Sequence, residues 1–207
     1  MKIPSSELIL NPDGSIYHLN LKPENIADTI ITVGDQDRVE KVTSFFDEII
    51  FSTRKREFKT QTGYYKGKKL SVISTGIGVD NIDIVMNELD ALVNIDFETR
   101  KIKDRLASLN IVRIGTSGGI QPDVPIDHFV MGKAGIGFDG LLHYYKHENV
   151  LNVEATDKLT EHLHLHPNKP KTYIVNASEQ LSRLFEGKPG VYSGYTGTNM
   201  GFYGPQN

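Results

Sequence analysis

Apolar residues along this chain fall into short runs, separated by stretches in which they recur every three or four positions. Thr29 to Val33 predicts a buried strand, and Val39, Val42 and Phe45 at helical spacing predict a helix from about Gln36. Glu48 to Phe58 and Lys59 to Lys66 predict a hairpin, with Gly67 in a turn before a strand at Lys69 to Ser74. Thr75-Gly76-Ile77-Gly78 opens a second helix, with Ile82, Val85, Met86, Leu89 and Val93 along one face. Asp96 to Ser108, rich in Glu98, Arg100, Lys101, Lys103, Asp104 and Arg105, predicts a solvated stretch. Strands at Leu109 to Ile114, Phe129 to Ala134, Thr172 to Val175 and Val191 to Tyr195, and a helix at Ala155 to His164, complete the pattern. The first 28 residues, with Pro12-Asp13-Gly14 and Lys22-Pro23, predict a loop-rich amino-terminal segment. Tyr64-Tyr65 and Tyr144-Tyr145 read as strand and helix packing. Strands alternating with helices, without an internal repeat, predict an α/β fold whose central mixed sheet is flanked by helices.

Composition narrows the class. With 207 residues, 38% hydrophobic and 9% aromatic, the chain has enough apolar mass for a single domain over residues 1–207. Its 23 basic and 26 acidic residues give a net charge of −3, which argues against a nucleic-acid partner, since that needs a concentrated basic face. There is no cysteine, so disulfides, thiol catalysis and thiolate metal sites are excluded. No long apolar segment follows Met1-Lys2-Ile3-Pro4, so neither a signal peptide nor a membrane anchor is expected, and the expected residence is cytoplasmic.

Two segments carry candidate chemistry. In Arg113-Ile114-Gly115-Thr116-Ser117-Gly118-Gly119 an arginine between Val112 and Ile114, expected to be buried, is followed by hydroxyls and bare glycine amides. Such a stretch can surround a small oxyanion with donors, and phosphate is the natural ligand. In Gly34-Asp35-Gln36-Asp37-Arg38 the Gly34 amide and a helix N-terminus can also meet an anion, with Arg38 reaching back over it. The alternative for that second segment is a plain helix start, with Asp35 as cap and Arg38 on the surface. Two cradles, each with its own arginine, suggest phosphate as a reactant. Thr75-Gly76-Ile77-Gly78 is not read as a dinucleotide fingerprint, because Asn81 stands where its third glycine belongs. The pairs His143/His147 and His162/His166 lack a third ligand at a telling spacing, so they read as solvated helix faces and no metal is expected.

Tyr17-His18-Leu19, Gly34-Asp35-Gln36-Asp37-Arg38-Val39, Lys55-Arg56-Glu57-Phe58, Ser74-Thr75-Gly76-Ile77-Gly78, Arg113-Ile114-Gly115-Thr116-Ser117-Gly118 and Phe202-Tyr203-Gly204-Pro205-Gln206 stand in one order along the chain. Together they resemble the signatures of the nucleoside phosphorylase family, and within it the uridine phosphorylases most closely. The resemblance implies phosphorolysis: nucleoside and phosphate give ribose 1-phosphate and free base, with phosphate as co-substrate and no cofactor. It implies that Gly34, Arg38, Arg113 and Thr116 hold the phosphate, with Arg38, Arg113 and Thr116 as the catalytic set. Arg56 would complete that site from a neighbouring subunit, and His18, also from the neighbour, would bind the ribose 5′-hydroxyl. Phe202 would pack on the base and Gln206 would read the uracil edge. A homo-oligomer, a dimer or trimer of dimers, follows from such sharing. In uridine phosphorylases an arginine comes two residues after the base-reading glutamine, and an acidic ribose-binding segment further on. The chain stops at Asn207, so the expectation is a domain incomplete at its carboxyl end. A purine nucleoside phosphorylase, a nucleosidase, and a non-catalytic nucleoside- or phosphate-binding protein stay open as alternatives.

Overall fold

A computed structural model describes residues 2–206. The chain divides into two compact units, Met1–Thr116 and Ser117–Asn207. The first runs β1 (Thr29–Val33), α1 (Gln36–Thr43), β2 (Glu48–Lys55), β3 (Phe58–Tyr65), β4 (Lys68–Ser74), α2 (Val79–Asn94), β5 (Ile95–Asp96), β6 (Lys101–Ile102) and β7 (Asn110–Ile114). Five of these strands form one mixed sheet in the order β2-β3-β4-β1-β7. β2, β3 and β4 pair antiparallel through tight turns, whereas β4, β1 and β7 run parallel. Lys66 and Gly67 both take positive φ, +48° and +74°, the backbone that a two-residue hairpin between twisted strands requires.

Both faces of β1 and β4 are covered. On one face Ile30 and Ile73 join Val85, Leu89 and Leu92 of α2. On the other, Val33 and Val72 meet Val39 of α1, with Val42 and Phe46 beside them. α1 ends at Thr43, so Phe45 leaves the helical stripe and is 74% exposed while Phe46 packs in its stead. The amino-terminal segment is not merely loop: Leu8, Ile16, Leu19 and Leu21 are buried in the core beneath α2. Within Asp96 to Ser108 the charged residues are mostly exposed, but β5 and β6 form a small ladder. Arg100, at φ +57°, ties this ladder to the amino terminus by donating to the carbonyls of Ile3 and Pro4 at 3.0 and 3.1 Å.

The second unit contains β8 (Phe129–Gly137), α3 (Val153–His162), β9 (Tyr173–Asn176), α4 (Glu179–Ser182) and β10 (Val191–Thr198). Its sheet order is β10-β8-β9, with β8 parallel to β10 and antiparallel to β9. β8 and β10 each run three residues beyond the predicted ends, through Gly135, Gly137 and Gly197, because cross-strand bonding overrides the low strand preference of glycine. α3 starts two residues early, where the Asn152 side chain accepts from the Ala155 amide at 3.0 Å. An added Cβ at Gly137 would lie 2.1 Å from the Tyr173 ring, so that glycine is what lets the ring cross β8. The Tyr173 hydroxyl donates to buried Asp139 at 2.6 Å, and burial together with this carboxylate holds the phenol well above its ordinary pKa. The tyrosine pairs are more open than packing predicts, since Tyr144 is 88% exposed and Tyr64 and Tyr65 sit half-exposed at the end of β3. Among the described residues no helix is long and apolar enough to cross a membrane.

Candidate functional site

The parallel strands place the predicted cradles side by side. Val33 of β1 aligns with Ser74 of β4 on one side and with Ile114 of β7 on the other. All three strands therefore leave the sheet at one edge, and the next residues are Gly34-Asp35, Thr75-Gly76 and Gly115-Thr116. The rim beyond the carboxyl ends of parallel strands is where open α/β sheets take ligands, because side chains and amides from separate strands converge there. The Thr75 amide donates to the Val33 carbonyl at 2.8 Å, which locks two of these exits together.

Asp35 caps α1 by accepting from the Asp37 amide at 2.8 Å, so the helix starts as its sequence predicts. A Cβ added at Gly34 would meet nothing within 4 Å, so the space beside that residue is open. Arg38 lies in the first turn of α1 and is half-buried. Arg113, in contrast, is exposed. Among the described residues β7 is the outermost strand of its sheet, with β1 on one side only, so Val112 is half-buried and Ile114 is 45% exposed. Apolar neighbours in sequence do not bury a side chain when the strand stands at an edge. The Arg113 guanidinium folds back over Gly115, where an added Cβ would come within 2.8 Å of Nη1. Thr116 follows, also exposed.

A second cluster gathers around Tyr17, and the β2–β3 turn ties it to the strand exits, where the Glu57 carbonyl accepts from the Ser74 hydroxyl at 2.7 Å. Tyr17 and His18 pack edge to face at 4.8 Å, and the Arg56 guanidinium lies 5.9 Å from the Tyr17 ring. Lys55 places its ammonium 4.2 Å from that ring, donates to Asn11 Oδ1 at 2.9 Å and also donates to the Tyr17 carbonyl. Arg56 itself is exposed and takes φ +54° in the β2–β3 turn, where its carbonyl accepts from the Gln36 side chain. His18 is held by Glu88 of α2: Nδ1 is 2.7 Å from Oε1, and the amides of His18 and Leu19 donate to the same carboxylate at 2.9 and 2.8 Å. His18 and Arg56, two residues separated by 38 positions, thus border one tyrosine.

The sequence profile of the Phosphorylase superfamily matches residues 28–207. This chain belongs to the phosphorylase superfamily. A uridine phosphorylase of Thermococcus kodakarensis is 32% identical over 163 residues, covering 77% of this chain and 54% of that protein. A DeoD-type purine nucleoside phosphorylase of Listeria welshimeri is 34% identical over 118 residues, covering 56% and 45%. Among solved structures, a Trypanosoma brucei nucleoside phosphorylase described as showing uridine phosphorylase activity superposes with a TM-score of 0.80 at 28% identity, covering 96% of this chain and 71% of that one. The chain spans about half the length of the curated relatives it matches.

The other residues singled out in the sequence of this phosphorylase-superfamily chain lie in its second unit. Phe202 is 74% exposed and stacks edge to face with Tyr203 at 5.3 Å. Gln206 closes a short 3-10 turn, Gly204–Gln206, and its side chain lies outside the described residues, as does Asn207. His143 and His147 come from a short 3-10 turn and the loop after it rather than from an α-helix, and their rings meet edge to face at 5.2 Å. His162 ends α3 and His166 lies beyond it. Among the described residues no group of three or more histidine or carboxylate side chains is placed to hold a metal ion. Sequence reasoning missed Glu88, Lys55 and Gln36. Glu88 carried a signal: it stands three residues after Val85 and four before Leu92, so it shares their inward face.

Proposed function

We propose that this protein is a nucleoside phosphorylase whose substrate is uridine. The observation that carries the reading is the alignment of the β4, β1 and β7 exits, which gathers Gly34, Arg38, Arg113 and Thr116 at one sheet rim. A phosphate dianion there receives the Gly34 amide, the Thr116 hydroxyl and two guanidinium groups whose charge persists at any physiological pH. A phosphate oxygen attacks C1′ of the ribose while the bond from C1′ to the base nitrogen breaks. The electron pair leaves with the base, and the proton of hydrogenphosphate ends on the base nitrogen, giving ribose 1-phosphate and uracil. The arginines hold the dianion beneath a sugar that becomes oxocarbenium-like, which orients the nucleophile and balances the developing positive charge.

The Thermococcus and Trypanosoma relatives support uridine as substrate, and the Listeria relative supports a purine nucleoside as the second reading. In this reading residues 1–207 belong to one phosphorylase domain. Phe202 and Gln206 contact the base, and the protein is a homo-oligomer in which His18 and Arg56 serve a neighbouring site. His18 and Arg56 border one tyrosine, which supports their serving one site together. The test is base release by the complete protein from uridine and from inosine, each with and without phosphate. Phosphate-dependent uracil release at the higher rate is the expected result. Equal rates without phosphate overturn the phosphorylase reading, and faster cleavage of inosine overturns uridine as the substrate.

A further inference from the structure

We propose that Glu88 is a positioning residue for nucleoside binding, and that it acts by setting the tautomer of His18. Among ionised side chains a carboxylate only accepts hydrogen bonds. The Glu88 carboxylate receives three donors at once: the His18 amide and the Leu19 amide at 2.9 and 2.8 Å, and His18 Nδ1 at 2.7 Å. Nδ1 therefore carries the imidazole proton, and in the neutral ring Nε2 is a lone-pair acceptor. The two backbone bonds fix the His18 Cα as well, so both the position and the polarity of the ring are set by one group. Glu88 is nearly buried, its side chain only 12% exposed, while the His18 side chain remains 26% exposed and keeps access to a ligand. Among the described residues nothing else bonds to either ring nitrogen. Glu88 sits on α2 between Val85, Leu89 and Leu92, which are buried, so packing holds its stem while its head holds the histidine.

The inference rests on the reading of His18 as the residue that meets the ribose 5′-hydroxyl. A bare Nε2 accepts the proton of that hydroxyl, whereas the opposite tautomer presents a donor and demands a different hydroxyl orientation. Glu88 thereby makes the site selective for a 5′ group that can donate.

The test compares the complete wild-type protein with Glu88→Gln, Glu88→Asp and His18→Ala on uridine and 5′-deoxyuridine, and reads the His18 ring nitrogens by nitrogen-15 NMR without substrate. In wild type we expect the Nδ1-protonated form and a preference for uridine of roughly tenfold in kcat/KM, the scale of one hydrogen bond. Glu88→Gln keeps the shape, but its amide nitrogen must face either Nδ1 or the Leu19 amide, so the oxygen no longer holds Nδ1 in every molecule, the tautomers mix and the preference falls toward unity through KM. Glu88→Asp, which keeps the charge, restores part of both. Adding Glu88→Gln to His18→Ala lowers the preference no further. A folded Glu88→Gln protein with wild-type tautomer and preference overturns the proposal, as does an Nε2-protonated His18 in wild type. Uridine cleavage that needs no phosphate overturns the phosphorylase reading instead and leaves the NMR result to judge Glu88.

Discussion

Two glycines at the strand exits respond in opposite ways to the same added methyl group. Gly34 has no positive φ, and a Cβ there meets nothing within 4 Å. Gly34→Ala is therefore neutral or stabilising for the fold, by about 0.4–1 kcal/mol from reduced freedom of the unfolded chain. Under the proposed function the methyl crowds a phosphate held at the Gly34 amide. Loss of one charge-assisted hydrogen bond, about 1.5–3 kcal/mol, raises the phosphate KM roughly ten- to 150-fold. Gly76 has φ +70°, and its Cβ would lie 2.6 Å from Asn81 Nδ2 and 3.0 Å from Glu57 Cγ. The left-handed backbone costs about 1–2 kcal/mol with a side chain present. Pushing Asn81 aside also breaks its 3.0 Å bond to the Ile77 carbonyl, worth about 1 kcal/mol. Gly76→Ala thus destabilises by about 2–3 kcal/mol, a fall in Tm of roughly 4–12 °C for a chain of this size. Thermal unfolding followed by circular dichroism, together with initial rates against phosphate concentration, separates the two outcomes. A Gly34→Ala protein with unchanged phosphate dependence, or a Gly76→Ala protein that melts with the parent, refutes the geometry argued for the rim.

Arg38 is half-buried and Arg113 exposed, so screening weakens the second more. Arg38→Ala raises the phosphate KM roughly ten- to hundredfold and Arg113→Ala by less, about two- to tenfold. Steady-state kinetics showing the reverse order would mean that Arg113 is shielded in the working protein. Thr60 is fully buried and, among the described residues, its hydroxyl has no partner, so Thr60→Val leaves stability unchanged or raises it by about 1 kcal/mol in urea unfolding. A loss above about 1 kcal/mol would reveal a partner for that hydroxyl. Tyr173 has its pKa raised in the fold, chiefly by burial and then by Asp139, so the unfolded chain loses this proton first as pH rises. The stability it confers is complete below about pH 10 and declines above it, which Tyr173→Phe removes. Denaturation at pH 8 and pH 11 tests this, and an equal alkaline loss in both proteins would count against it.

Periodicity alone was enough for the elements whose apolar residues are local neighbours. β1, β4, α2 and the start of α1 stand where the pattern put them, because a buried strand or a helical stripe is written in contiguous sequence, and the hairpin forms with its turn at Arg56–Glu57 rather than after Phe58. The glycine turns that follow β1, β4 and β7 were legible too, since a chain that leaves a strand beside a ligand needs a small residue there. What the sequence left undetermined was everything that depends on which strand lies beside which. The exposure of Arg113 follows from β7 standing at the sheet edge, and no property of Val112-Arg113-Ile114 announces that position. The same holds for the long ends of β8 and β10, where a partner strand makes strand out of glycine-rich sequence. Glu88 and His18 are 70 positions apart, and their pairing exists only because the amino-terminal segment packs beneath α2. Local sequence determines which groups are available. Tertiary packing decides which are buried and which meet, because burial and hydrogen bonding depend on distances that the chain closes only when it folds.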